Sequence, residues 1–153
     1  MKSIAGITME QEKERKTMIR ELMKDPLFLS QPCSPCTKKD LPLAQDLRDT
    51  ILHYQSGCLG MAANMIGVQK TMIVVLFAGR PMILINPKIV SRKHPYTTKE
   101  GCLCLNGERE TKRYIDITVE YLDEEWKKHR ETYTNLAAEV LQHEIDHCNG
   151  ILI

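Results

Sequence analysis

Six consecutive residues near the end of the chain, Gln142-His143-Glu144-Ile145-Asp146-His147, constrain this sequence more than any other feature. They read as His-Glu-x-x-His. On an α-helix, histidines four apart share one face, about one turn from each other, so both imidazoles can reach one metal ion. The glutamate between them lies to the side, where it can take a proton from water activated by the metal. The bland alternative is a solvated helical face with two incidental histidines. The neighbouring pattern speaks against it. Leu136 and Val140 share a stripe with His143 and His147, and Ala137, Leu141, Ile145 and Cys148 form an apolar stripe beside it. A helix patterned this way is buried. Buried histidines need partners, and a metal supplies them. Asn149-Gly150 offers a helix stop.

A hydrolytic metal site commonly has three protein ligands and one open position. After the motif only Cys148 to Ile153 remain, with no Glu or His among them. The third ligand must therefore come from upstream. This argues against an endopeptidase whose third ligand follows the motif. Glu100-Gly101-Cys102-Leu103-Cys104 is the best upstream candidate. Glycine allows a tight backbone turn, and a thiolate is favoured beside a divalent cation. The alternative is two buried cysteines near a bend.

Taken together, these segments make the chain resemble the peptide deformylases, which remove the N-terminal formyl group from nascent bacterial proteins. The family has three motifs: Gly-x-Gly-Leu-Ala-Ala-x-Gln, Glu-Gly-Cys-Leu-Ser and Gln-His-Glu-x-Asp-His. Their counterparts here, in the same order, are Cys58 to Met65, Glu100 to Cys104 and Gln142 to His147. The resemblance spans about residues 40 to 150. It implies that Cys102, His143 and His147 bind one divalent metal, commonly Fe(II), with Zn, Ni or Co also accepted. It implies Glu144 as general base and the Leu103 backbone N–H as an oxyanion donor. The backbones of Leu59, Gly60 and Gly101 would pair with an extended peptide, as an added strand does. Arg109 occupies the place of a family arginine near the substrate cleft. Glu100 would support the site from behind, through Arg113 or a neighbouring backbone group. The implied partner is a formylated nascent peptide, with the ribosome as a candidate place of encounter.

Three positions depart from the family pattern. Cys58 replaces a glycine, and so places a side chain where the backbone could require positive φ. Cys104 replaces a serine hydroxyl with a thiol, a weaker donor. Met65 replaces the glutamine whose amide donates to the developing oxyanion, and a thioether has no donor. Losing one such donor typically costs about 10²–10³ in rate. Two readings follow. One is a metallohydrolase that removes N-formyl groups. The other is a catalytically weak or inactive homologue that binds peptide or metal.

The sequence has 153 residues, 42% of them hydrophobic, enough for one domain with a real core. Residues 1–40 read as a helical N-terminal segment and loop, and 41–153 as the region bearing the motifs. A net charge of +1 gives no electrostatic case for nucleic acid or a membrane surface. No window approaches a membrane span, and Met1 to Thr8 lacks the apolar run of a signal peptide, which points to the cytoplasm. The six cysteines then read as metal-binding or buried thiols rather than disulfides. Cys33-Ser34-Pro35-Cys36 reads as structural thiols, with redox and metal roles as alternatives.

Thr8-Met9-Glu10-Gln11 fits a capping box opening a charged helix that carries Met18, Ile19, Leu22 and Met23 and ends at Asp25-Pro26. Leu43, Leu47 and Ile51 predict a second helix from about Pro42 to Tyr54. Met72 to Phe77 and Met82 to Ile85 predict a hairpin, with Ile89-Val90 extending its second strand. Ile115, Ile117, Val119 and Tyr121 alternate with polar residues as in a half-buried strand, and a turn at Asp123 to Glu125 leads into Trp126 to Tyr133. His53, His94 and His129 read as ordinary surface histidines. The last residues, Ile151 to Ile153, are expected to form a short strand or a docked end. The sum is an α+β domain, and the resemblance makes it deformylase-like: antiparallel strands packed around a central helix that carries His-Glu-x-x-His.

Overall fold

The computed structural model describes residues 19–152. The capping box at Thr8 to Gln11 and the apolar position Met18 lie outside them. Residues 19–25 carry no regular secondary structure, and the first described helix, α1, is the single turn Pro26–Leu29. The helix expected to end at Asp25-Pro26 therefore does not run up to that pair. Pro26 starts a helix instead. Its missing N–H costs nothing in a first turn, and the Asp25 carboxylate caps the Leu27 N–H. Before it, the chain runs as a strap. Arg20 N–H donates to Thr50 Oγ1 (3.0 Å), its guanidinium pairs with Asp46 (2.9 Å), and Met23 N–H donates to the Met65 carbonyl (2.7 Å).

Helix α2, Leu43–His53, follows the predicted spacing, with Leu43, Leu47 and Ile51 buried on its inner face. Five strands then form one antiparallel sheet in chain order: β1 (Gly60–Ala62), β2 (Met72–Phe77), β3 (Arg80–Cys102), β4 (Leu105–Leu122) and β5 (Lys128–Thr134). Helix α3, Asn135–Cys148, packs across the sheet against β1, β2, β4 and β5. Between helix and sheet lies the core: Met61, Met65, Ile73, Leu84, Ile85, Ile117, Leu141 and their neighbours.

The β2–β3 hairpin closes on only two residues, Ala78 (φ 51°) and Gly79 (φ 75°), with Phe77 paired to Arg80. Two successive positive φ values match the right-handed twist of the strands they join. Ile89 and Val90 do extend β3 past Pro87, across register shifts at Ile85/Lys88 and Ile89/Ser91. A third shift falls at Gly101/Cys102, immediately before the β3–β4 turn. A bulge there re-aims the side chains that follow it. Ile117, Val119 and Tyr121 are buried as their alternation predicts, while Ile115 is half out in solvent, just past the end of the β4–β5 pairing at Asp116.

Two contacts fix α3 to the sheet. The Gln142 amide behaves like a piece of backbone: Oε1 accepts from Tyr114 N–H (2.9 Å) and Nε2 donates to the Tyr114 carbonyl (2.8 Å). At the other end, Asn64 Nδ2 donates to the His147 carbonyl (2.8 Å). Residues 151–152 form no strand. Ile151 N–H turns back to the Asp146 carbonyl (3.0 Å). Gly150 makes this possible with φ 74°, and it lies against α1, where an added Cβ would sit 2.5 Å from the Ser30 carbonyl oxygen. Gly150→Ala is expected to lower unfolding free energy by about 1–3 kcal/mol in urea titrations. Gly57→Ala, with open space around it, should change it by less than about 0.5 kcal/mol.

Candidate active site

Helix α3 and the end of β3 deliver three donor atoms to one place. Cys102, His143 and His147 have ligand atoms within 4.8 Å of one another, the one such group among the described residues. Cys102 Sγ lies 3.3 Å from His147 Nε2. His147 is fully buried, and His143 and Cys102 open onto a cavity of about 300 Å³. Leu59, Gly60, Met65, Glu100, Gly101, Leu103 and Glu144 also line that cavity.

Behind the donors is a second layer of charge. His143 Nδ1 lies 2.8 Å from Glu100 Oε1, which leaves Nε2 for a metal. Arg113 grips the same carboxylate with Nε (2.9 Å) and Nη2 (2.7 Å). Its Nη1 reaches Asp146 on α3 (2.6 Å). Glu100 and Arg113 are both buried. The expected support of the site by Glu100 through Arg113 is present in this form, and Asp146 completes it.

The electrostatics follow from these contacts. The Cys102 thiol is held far below its usual range, first by the Cys104 thiol donating to it and then by His143 and His147, against the opposing effect of burial. Cys104 is correspondingly raised by that hydrogen bond and by burial. For His143, burial opposes the charge, but Cys102 and Glu100 outweigh it and push the imidazole up to about 10. Burial also opposes the Glu100 charge, yet His143 and Arg113 hold it at about 2. Glu144 is raised, chiefly by desolvation. Among the described residues its Oε1 has no hydrogen-bond partner, nor does His147 Nδ1. One thiolate sulfur and two imidazoles in a partly open, electron-rich pocket suit a borderline divalent ion such as Zn, Fe, Ni or Co. The residues present fit such a group.

The other predicted site residues divide. Leu59, Gly60, Gly101 and Leu103 line the cavity. The Leu59 carbonyl already accepts from Leu76 N–H (2.8 Å), and the Gly60 carbonyl accepts from the Cys58 thiol (2.8 Å). Arg109 does not line the cavity; it pairs opposite Glu100 in the β3–β4 register. Cys58 does not have the left-handed backbone its glycine counterpart suggested, so its side chain is unstrained. Met65 is buried and turns its sulfur back to accept from Ala62 N–H at 3.3 Å. His53, His94 and His129 lie away from the cavity, the last two paired with Asp116 and Asp123 at 2.7 Å each. Cys33 and Cys36 are free thiols outside the metal group, and burial pushes each up to about 11.

Sequence reasoning gave no role to Gln142, Asp146, Asn64 or Glu139. A signal for three of them existed. Glu139, Gln142 and Asp146 form a polar stripe on a helix otherwise patterned for burial.

Fold and site together define an α+β metallohydrolase. The polypeptide deformylase family model matches residues 17–153. A peptide deformylase of Clostridium beijerinckii is 43% identical over 136 residues, 89% of this chain and 100% of that one. A crystal structure of a peptide deformylase from Legionella pneumophila superposes with a TM-score of 0.80 at 34% identity, covering 88% of this chain and 83% of that one. One from Thermotoga maritima gives 0.77 at 30% identity, covering 87% and 92%. The chain belongs to the polypeptide deformylase family. Its reaction is the metal-dependent hydrolytic removal of an N-formyl group.

Partners behind metal-binding histidines typically contribute 10- to 100-fold in metal affinity. Glu100→Gln is therefore expected to weaken zinc binding by about 10- to 100-fold in chelator competition. Glu110→Gln, on the exposed face of β4, should leave it unchanged.

Proposed function

We propose that this chain deformylates N-terminal formylmethionine of nascent peptides in the cytoplasm, with Fe(II) as its working metal and the ribosome as the place where the peptide is met. The supporting observation is the convergence of Cys102, His143 and His147 beside an unpartnered Glu144 carboxylate in one cavity. Among the described residues no helix is long and apolar enough to cross a membrane.

When bound, a divalent ion at the three donors acidifies water and polarises the formyl carbonyl. Everything else falls to the protein. Glu144 accepts the proton of the attacking water through Oε1 and returns it to the leaving amine. Its proton affinity, raised by its own burial, suits both transfers. The Leu103 N–H, at the tip of the β3–β4 turn, donates to the oxygen on which charge builds. The peptide lies as a short strand between β1 and the end of β3, paired with the backbones of Leu59, Gly60 and Gly101. Arg109, away from the cavity lining, would act on the more distant part of the peptide.

Met65 favours a second reading, a slow or inactive homologue. Its sulfur is engaged as an acceptor, so position 65 offers the oxyanion no donor. Formate release from formyl-Met-Ala-Ser separates the readings. Turnover by the natural sequence supports an enzyme that works without the glutamine. Met65→Gln is expected to raise kcat by up to about 10²–10³. Glu144→Ala should keep its metal, measured by elemental analysis, while losing about 10²–10⁴ in kcat. Full activity in that variant would remove Glu144 from the mechanism.

A further inference from the structure

The cavity that holds the metal donors has two charged side chains that none of the roles above uses, Lys99 and Glu139, and only the second is an acceptor. Glu139 lies four residues before His143, so it stands one helical turn away on the same face of α3. It lines the cavity together with Leu136, Val140 and Lys99. Its Oε1 is 3.4 Å from the Tyr96 hydroxyl on β3, and among the described residues no lysine or arginine forms an ion pair with it. A neighbouring cavity of about 420 Å³ shares Leu59, Leu136 and Val140 but has no charged lining residue. The carboxyl therefore marks the cavity of the metal donors and not the wider groove.

Geometry decides which part of a substrate meets it. The formamide nitrogen is bonded to the Cα of the first residue, and the Cβ is only about 2.5 Å from that nitrogen. With the formyl carbon beside the donors, the first side chain must enter the same cavity. Leu136, Val140 and Glu139 line it on the α3 side, and the Tyr96 hydroxyl, outside the lining, donates to the Glu139 carboxyl. Burial and the nearby Glu100 carboxylate raise the Glu139 acid. Charged or neutral, it keeps an oxygen that can accept a hydrogen bond.

We propose that Glu139, positioned by Tyr96, is a specificity-determining residue that lets the cavity accept formyl peptides whose first side chain ends in a hydrogen-bond donor, lysine foremost, as well as apolar ones. This rests on the deformylase reading of the site. An apolar wall would reject an ammonium group, because it would leave that charge without a partner.

The test compares formyl-norleucine-Ala-Ser with formyl-lysine-Ala-Ser formylated on the α-amine alone. The two first side chains share a four-carbon stem and differ by the terminal ammonium. Dissociation constants are measured by calorimetry on the zinc-loaded protein, with kcat/KM from formate release alongside. For the natural sequence, the lysine peptide should bind within about tenfold of the norleucine peptide. Glu139→Leu should raise the lysine-to-norleucine Kd ratio by at least about tenfold, and Glu139→Gln, which keeps an acceptor of the same shape, by less. Zinc stoichiometry and circular dichroism check that each variant is folded. An unchanged ratio in Glu139→Leu overturns the proposal, as does failure of either peptide to bind the natural protein. Binding with the expected ratios but no formate release would overturn the catalytic reading and leave the role of Glu139 supported.

Discussion

The Glu100 carboxylate is the group on which the rest of the site depends. It sits near the end of β3, two residues before the thiolate ligand, and it touches helix α3 through His143 and strand β4 through Arg113. Arg113 then returns to α3 at Asp146. Four charged or chargeable groups close a circuit between hairpin and helix where the three donor atoms converge. Burying such groups is unfavourable unless each is paired, and removing one partner from a buried pair typically costs about 3–5 kcal/mol. The network is therefore intolerant of single changes. It holds the His143 ring with one nitrogen committed and the other free. The spacing within Gln-His-Glu-x-Asp-His follows from this: Gln142 and Asp146 are one turn apart and both bind β4, while His143 and His147 are one turn apart and face the donors.

What could be read from the sequence and what could not divides along a physical line. Helix α2, the β2–β3 hairpin, the buried face of α3 and the pair His143 and His147 came from periodicity or spacing, which are local properties of the chain, while Cys102 as the third donor came from the family resemblance. The N-terminal strap did not. The apolar residues Ile19, Leu22 and Met23 suggest a helix locally, but the backbone of this segment instead bonds to Thr50 and Met65, which only the tertiary fold brings near. Where Arg109 stands was not legible either, for a similar reason. Its position relative to Glu100 is set by strand register, and register is invisible until the hairpin is closed. Cys58 shows the reverse error. The family glycine suggested a strained backbone, but a side chain fits there because its thiol finds the Gly60 carbonyl.

The three departures from the family pattern cluster around one small volume. Cys58 donates to Gly60, Cys104 lies 3.9 Å from the Met65 carbonyl, and Met65 accepts from Ala62. Each substituted side chain is satisfied by nearby backbone or by another cysteine, so the region is repacked rather than left with holes. Two sulfurs now stand where the family pattern has a hydroxyl and an amide. Sulfur is larger, softer and a poorer hydrogen-bond partner than oxygen or nitrogen. The volume is thus more apolar, and an electrostatic interaction inside it is screened less. Met65 also brings no N–H to this volume, where the family pattern has an amide.

Gly60 explains how the Glu144 carboxylate can be both buried and held in place. A Cβ there would lie 2.8 Å from Glu144 Cγ and 3.0 Å from its Oε2, so strand β1 can approach α3 this closely only without a side chain. The close approach excludes water from one side of the carboxylate. Desolvation then raises its proton affinity, while the two histidines limit the rise. The same absent Cβ lets the buried Gly60 backbone line the cavity wall. The burial of Glu144 and its raised proton affinity therefore trace to one missing methyl group. A side chain at this position would push Glu144 and Val140 out of place together, so the position of the carboxylate and the packing of β1 on α3 cannot be varied independently in this fold.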